Sequence, residues 1–257
     1  MKVAILAGGL GSRLSEETTV KPKPMVEIGD YPILWHIMKY YAAFGHDDFV
    51  IGLGYKGEYI KRWFADHATL GGDLRVRTGT GSVESIRNGD QEDWTVRLIE
   101  TGRHTNTGGR IKRLLPHLGP GTFMVTWGDG VSTVDLDALV KFHKDHGKIC
   151  TLTAVRPPAR YGHLELEDDK VVEFTEKPQA AEGWINGAFF VMEPEIADYI
   201  AGDDTLFERE PLERLAAENQ LMAYRHDDFW ACMDTMRDKV MLDRLWASGE
   251  APWGVWT

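Results

Sequence analysis

KVAILAGGLGSRL, residues 2–14, decides the fold: a short apolar run, Lys2–Leu6, empties without a spacer into Ala7–Leu14, AGGLGSRL. Five residues of that kind predict a buried strand, and glycines behind it let the backbone pass close to an anion, with successive N–H groups forming a cradle. Arg13 adds a fork of donors suited to phosphate. The alternative is an ordinary glycine-rich turn after a first strand. Leu14 stands where a third glycine would complete a GxGxxG dinucleotide fingerprint, and no GK[ST] follows to make a P-loop.

Outward from that turn comes Val20–Gly29, VKPKPMVEIG, in which prolines flank Lys21 and Lys23. Such prolines predict an extended segment with both ammonium groups held outward, close enough in sequence to reach back over the same anion. Pro32–Phe44 then carries apolar residues at 33, 34, 37, 38, 41 and 44, a helical spacing. Phe49–Leu53, Thr122–Trp127 and Ile149–Val155 read as strands. Gly57–Ala65, Gly109–Leu118, Leu136–His146 and roughly Thr235–Ala247 read as helices. Strands alternating with helices predict an α/β fold: one Rossmann-like, mostly parallel sheet covered by helices. The polar stretch 71–100 and the strand-like runs of 161–192 (HLELE, KVVEF, AFFVM) predict β appendages within a single domain spanning 1–257.

Composition excludes much. Forty acidic residues against twenty-nine basic leave a formal net charge of −11, which disfavours nucleic acid and anionic membrane as partners. No apolar run is long enough to span a bilayer, and the opening segment lacks a signal-peptide pattern, so the chain reads as cytoplasmic. Cys150 and Cys232 show neither disulfide nor zinc spacing. His143 and His146 read as residues of a surface helix, and the nine scattered tryptophans as packing or subunit contact.

The two opening motifs, followed in order by TGRHTNTGGRIKR (101–113), GDGV (128–131), EKP (176–178), INGAFF (185–190) and MDTMRD (233–238), resemble the sugar-1-phosphate nucleotidylyltransferases, in particular the glucose-1-phosphate cytidylyltransferase branch. The resemblance covers the whole length, down to the tail APWGVW (251–256). It implies that Leu6, Ala7, Gly8, Gly9, Gly11, Ser12, Arg13, Lys23, Thr105, Thr107, Gly109 and Gly128 bind the nucleotide, and that Arg110, Tyr161, Gly162, Glu176, Lys177, Asn186 and Gly187 bind the sugar phosphate. Lys23, Arg13 and Asp129 would be catalytic, and Glu100 a possible acceptor for the cytosine amine. The activity implied is transfer of CMP from CTP to α-D-glucose 1-phosphate, giving CDP-glucose for surface-polysaccharide synthesis in a homo-oligomer, a hexamer by resemblance.

The chemistry agrees. The attacking phosphate oxygen is already ionised, so such a site needs cations and a metal rather than a general base. Asp129, between two glycines after a strand, and Asp234, before the last helix, are the expected Mg2+ ligands. Read without the resemblance, Asp129 is equally a turn residue and Asp234 a helix cap. Trp127, Asn106, Gln179 and Ala188 depart from the branch, which usually has Tyr, Met, Lys and Gly there. Those positions lie near the acceptor and base pockets, so an acceptor other than glucose 1-phosphate is the first alternative. A nucleotide-sugar binding protein without catalysis is the second, and an NAD-binding oxidoreductase the third. Trp253 and Trp256, in a Pro/Gly-broken tail, are expected to anchor a subunit interface.

Overall fold

The structure, a computed structural model, describes residues 1–9, 11, 14–86, 92–157, 163–167, 170–175 and 183–256. In chain order the first third holds β1 (Lys2–Leu6), α1 (Ser15–Thr18), β2 (Glu27–Ile28), β3 (Tyr31–Pro32), α2 (Ile33–Ala43), β4 (Asp48–Leu53) and α3 (Gly57–Leu70). The middle holds β5 (Asp73–Arg77), β6 (Ser82–Ile86), β7 (Thr95–Glu100), α4 (Thr107–Leu118), β8 (Phe123–Trp127), β9 (Gly130–Ser132), α5 (Leu136–His146) and β10 (Cys150–Val155). Then follow β11 (His163–Glu167), β12 (Lys170–Thr175), β13 (Ile185–Met192), α6 (Glu210–Ala217), β14 (Leu221–His226), β15 (Trp230–Cys232) and α7 (Met236–Ala247).

Seven strands form the central sheet in the order β14-β10-β13-β8-β1-β4-β7, and all run parallel except β13. Alternation along each strand feeds both faces. Val3 and Ile5 of β1 join one buried cluster, with Met124, Phe189 and Val191; Ala4 and Leu6 join the other, with Val125, Phe190 and Met192. A strand buried on both faces reads as a continuous apolar run, which is why KVAIL and FMVTW were legible. Each fully buried Ile, Leu or Phe in such a sheet contributes about 1.5–3 kcal/mol.

Two expectations about appendages need correction. The hairpin β5–β6 stands apart, but Thr95–Glu100 is a parallel edge strand beside β4. As an edge it needs only partial burial and tolerates Arg97, which pairs with Asp48, so its sequence looks like loop. Likewise HLELE and KVVEF pair as a ribbon, whereas AFFVM lies inside the main sheet as β13, antiparallel between β10 and β8. Strand direction leaves no trace in hydrophobic periodicity.

The tail also differs from expectation. Trp253 is fully buried in its own chain, stacked on Phe229 at 5.6 Å, and its Nε1 donates to His36 Nδ1 at 3.3 Å. His36 Nε2 in turn donates to the Ile28 carbonyl at 2.9 Å. A pocket between α2 and α7 takes the indole, because His36 and Trp246 supply aromatic walls there. His143 is likewise buried rather than on a surface, hydrogen-bonded to Thr151 at 2.8 Å and to Glu193 at 3.2 Å.

Candidate active site

Strand order reverses at β1: the chain builds outward through β4 to β7, then returns to β8 on the other side. The carboxyl ends of β1 and β8 therefore diverge at a switch point, where open α/β sheets leave a crevice. Ala7, Gly8, Gly9 and Gly11 line one lip and Trp127-Gly128-Asp129 the other, around a cleft of about 300 Å³. Gly128 N donates to Leu6 O at 3.0 Å, and a Cβ at Gly128 would meet Pro24 at 2.9 Å, so only glycine lets the lips close to this distance. Gly11 adopts a φ of +64°, the left-handed region, with Thr18 2.8 Å from where a Cβ would sit.

Arg110 holds the glycine loop from below. Its buried guanidinium donates to Gly8 O (3.0 Å), Leu53 O (3.0 Å), Gly102 O (2.9 Å) and Thr101 Oγ1 (2.7 Å). A sugar-phosphate role was expected for Arg110. Arg110 lines the cleft, and its donors tie the ends of β1, β4 and β7 to α4, so it shapes the loop. Burial, with Arg113 adding repulsion, lowers its pKa. Arg113 and Glu100, by contrast, do not line the cleft and pair with Asp203 and Lys61 respectively.

The lysine of the KPKP segment turns inward, against the extended reading. Lys23–Met25 is a single 3-10 turn, all three residues buried, closed by Val26 N donating to Lys23 O at 3.1 Å. Lys23 Nζ donates to Asp129 Oδ2 at 2.7 Å and to Asp234 Oδ1 at 2.6 Å. Burial works to lower the Lys23 pKa, yet Asp129, Cys232 and Asp234 outweigh it and the net direction is up, so the ammonium stays charged. The ribbon β9–β15 brings the two aspartates together: Cys232 pairs with Gly130, and Met233 N donates to Asp129 O at 2.8 Å. Asp234 is not the helix cap. Thr235 caps α7 in a reciprocal box with Asp238, leaving the Asp234 carboxylate to face Lys23.

Donor atoms of Asp129, Cys232 and Asp234 lie within 4.8 Å of one another, and among the described residues they form the only such group of three. Two carboxylate oxygens closing on one cation fit a hard divalent ion such as Mg2+, which needs few protein ligands. The Cys232 thiol beside them was missed in the sequence, where no spacing linked it to Asp129 across a hundred residues.

The cleft's far wall is the start of α4, stitched to residues 202–208. Asn106 N donates to Asp203 O at 2.8 Å, Thr107 Oγ1 donates to Glu208 at 2.6 Å, and Phe207 N donates to Thr107 Oγ1 at 2.9 Å. Thr105, Asn106, Thr107 and Leu206 line the cleft there. Trp127 also lines the cleft and joins this wall, stacked on Phe190 at 5.1 Å, with its Nε1 donating to Glu208 at 3.2 Å. Leu206 and Pro24 were not anticipated, and nothing in GDDTLFERE singles Leu206 out.

Of the expected nucleotide residues, Leu6, Ala7, Gly8, Gly9, Gly11, Lys23, Thr105, Thr107 and Gly128 line this one cleft. Gly109 instead lets α4 pack on Asp203, whose Cα lies 2.6 Å from where a Cβ would be. Gly187 is buried against Val155 and accepts from Trp230 Nε1 at 2.8 Å, while Asn186 Oδ1 accepts from Ala188 N at 2.9 Å. Ser12, Arg13, Tyr161, Gly162, Glu176, Lys177 and Gln179 lie outside the described residues. No helix among the described residues is long and apolar enough to cross a membrane.

Residues 2–238 match the family model for nucleotidyl transferases. The chain is 49% identical to a glucose-1-phosphate cytidylyltransferase of Salmonella typhi and 40% to a probable one of Bacillus subtilis, over the full length of every chain. Among solved structures it is similar to HddC from Yersinia pseudotuberculosis, with a TM-score of 0.70 at 23% identity over 95% of this chain and 99% of that one. A UDP-glucose pyrophosphorylase complexed with UDP-glucose gives 0.68 at 16% identity, over 96% and 98%.

Proposed function

On the premise that the chain belongs to the nucleotidyl transferase family, within its glucose-1-phosphate cytidylyltransferase branch, we propose that it transfers CMP from CTP to α-D-glucose 1-phosphate. CDP-glucose and pyrophosphate are the products. The observation that carries this reading is that Lys23 and Asp129 line a glycine-rich cleft and Lys23 bridges Asp129 to Asp234, in a chain half identical to such enzymes along its whole length.

A phosphate oxygen of the sugar phosphate attacks the α-phosphorus of CTP, and the bond to the β,γ-pyrophosphate breaks on the opposite side. No proton has to move, because the attacking oxygen is ionised. The glycine loop, held by Arg110, presents its backbone to the triphosphate. Lys23 supplies positive charge as negative charge builds on the α-phosphate. Asp129 and Asp234 would hold Mg2+, which when bound neutralises phosphate charge and orients the leaving group. Thr105, Asn106 and the 202–208 segment form the wall against which the nucleotide is read.

Pyrophosphate release from the purified protein, measured across four nucleoside triphosphates and a panel of sugar 1-phosphates, tests the reading. CTP with glucose 1-phosphate is expected to give the highest kcat/KM. Turnover with CTP but a better acceptor would move the substrate and keep the chemistry; Trp127, tied to Glu208 on the cleft wall, favours that second reading. No turnover with CTP and any acceptor would sink both. We also expect a cytoplasmic homo-oligomer, a hexamer; a light-scattering mass near 29.0 kDa would refute the assembly.

A further inference from the structure

The ammonium of Lys23 occupies the space between two carboxylates. Its Nζ bridges Asp129 Oδ2 at 2.7 Å and Asp234 Oδ1 at 2.6 Å, two carboxylates delivered from segments more than a hundred residues apart. All three side chains are largely withdrawn from water, with 10%, 23% and 15% of their surfaces exposed. The donor atoms of Asp129, Cys232 and Asp234 lie within 4.8 Å of one another, room to grip one cation. Placing a divalent ion there with the ammonium still in contact would press two cations together at a site poorly screened by solvent.

We propose that Lys23 and the divalent metal are alternative occupants of the Asp129–Asp234 pair, so that metal binding releases the lysine into the cleft. The proposal rests on the reading that this pair takes Mg2+. The geometry gives Lys23 somewhere to go. Its backbone is fixed in the 3-10 turn, and its Cβ lies 3.1 Å from where a Gly11 Cβ would be, directly beneath the glycine loop. Four flexible methylenes carry the ammonium from there, and Lys23 lines the same cleft as Gly8 and Gly9. Once the carboxylates are taken by metal, phosphate at the loop is an anion within the ammonium's reach. Before that, Lys23 holds the two carboxylates together and offsets their charge against an incoming triphosphate. Metal occupancy thereby switches the lysine from structural counter-ion to phosphate ligand.

Competition has a sign that simple damage to the site cannot imitate. Removing the ammonium abolishes a rival for the pair, so Lys23→Met should bind metal more tightly while losing turnover. We expect Mn2+, titrated by calorimetry without substrates, to bind Lys23→Met about tenfold more tightly than wild type, the size of a typical coupling between two sites. Asp129→Asn should abolish the binding in both backgrounds, which places the ion. In the wild-type protein, saturating Mg2+ should raise acetylation of Lys23 by an amine-directed reagent, read by mass spectrometry, with other lysines unchanged. That readout stands even if Lys23→Met fails to fold. Equal or weaker Mn2+ binding by Lys23→Met, or Lys23 labelling that stays level or falls with Mg2+, overturns the exchange. Neither measurement uses CTP, so a protein that exchanged cations yet never released pyrophosphate would refute the functional reading alone.

Discussion

Lys23 is required where charge develops, so its removal should cost rate more than affinity. Lys23→Ala is expected to lower kcat by roughly 10²–10³ with little change in the KM for CTP. Steady-state kinetics decide this: a raised KM at unchanged kcat would make Lys23 a binding residue only. Ala188 shows a different residue-scale effect. Its φ of +61° lies in the left-handed region, where a Cβ crowds the backbone. Relief of that strain outweighs the added freedom of glycine in the unfolded chain, so Ala188→Gly should stabilise by about 0.5–1 kcal/mol. Urea denaturation checks it. No gain would mean that Ala188's contact with the Trp127–Phe190 side of the core is worth more than the strain.

At the scale of elements, α4 does more than cover the sheet. Through Arg110 it gathers the ends of three parallel strands and the glycine loop into one rigid lip. Arg110→Met keeps the aliphatic stem but leaves buried carbonyls without donors, at about 1–3 kcal/mol for each group left unpaired. The expected outcome is a clearly lower Tm together with a higher KM for CTP, because the loop loses its pre-set shape. If nucleotide affinity held while Tm fell, the loop would be rigid without Arg110. The capping box on α7 acts in the same way on the opposite lip: by occupying Thr235 and Asp238 with each other, it leaves Asp234 available to Lys23.

For the whole molecule, the C-terminal tail is a plug. Trp253 fills a pocket in its own chain, and Trp253→Ala should cost about 3–5 kcal/mol, the range for a large buried aromatic. Light scattering and thermal melts separate this from an interface role: Tm should fall while the mass of the folded protein stays the same. The plug's partner His36 also makes the fold acid-sensitive. Burial lowers the His36 pKa from 6.5 to about 4, so the folded state keeps it neutral while the unfolded chain takes up a proton. Stability is therefore full above pH 6.5 and declines as pH falls toward 4, by roughly 3 kcal/mol from this residue. His143, also lowered by burial, pulls in the same direction. Glu92 extends the decline further. Burial opposes its charge, but hydrogen bonds, His67 and Lys39 prevail and hold it at about 2. Melts from pH 7 to 3 measure this, and His36→Gln should flatten the upper part of the curve.

Sequence alone determined the parallel strands β1, β4, β8 and β10, the helices between them and the order of motifs, because elements buried on both faces or on one helical face carry their pattern locally. The ordered motifs, through the family they resemble, also pointed to Lys23, Asp129 and Asp234, although Asp234 by itself reads as a helix cap. Tertiary structure decided what depends on pairing between distant segments. β13 runs against its neighbours, Thr95–Glu100 joins the sheet as an edge, and Arg110 turns its guanidinium to backbone carbonyls at the strand ends. Cys232 joins the two aspartates, Leu206 reaches the cleft, and Trp253 folds inward instead of outward. None of these leaves a periodicity. Each follows from which surfaces and unpaired polar groups meet once the sheet has closed, and that is a property of the packed chain.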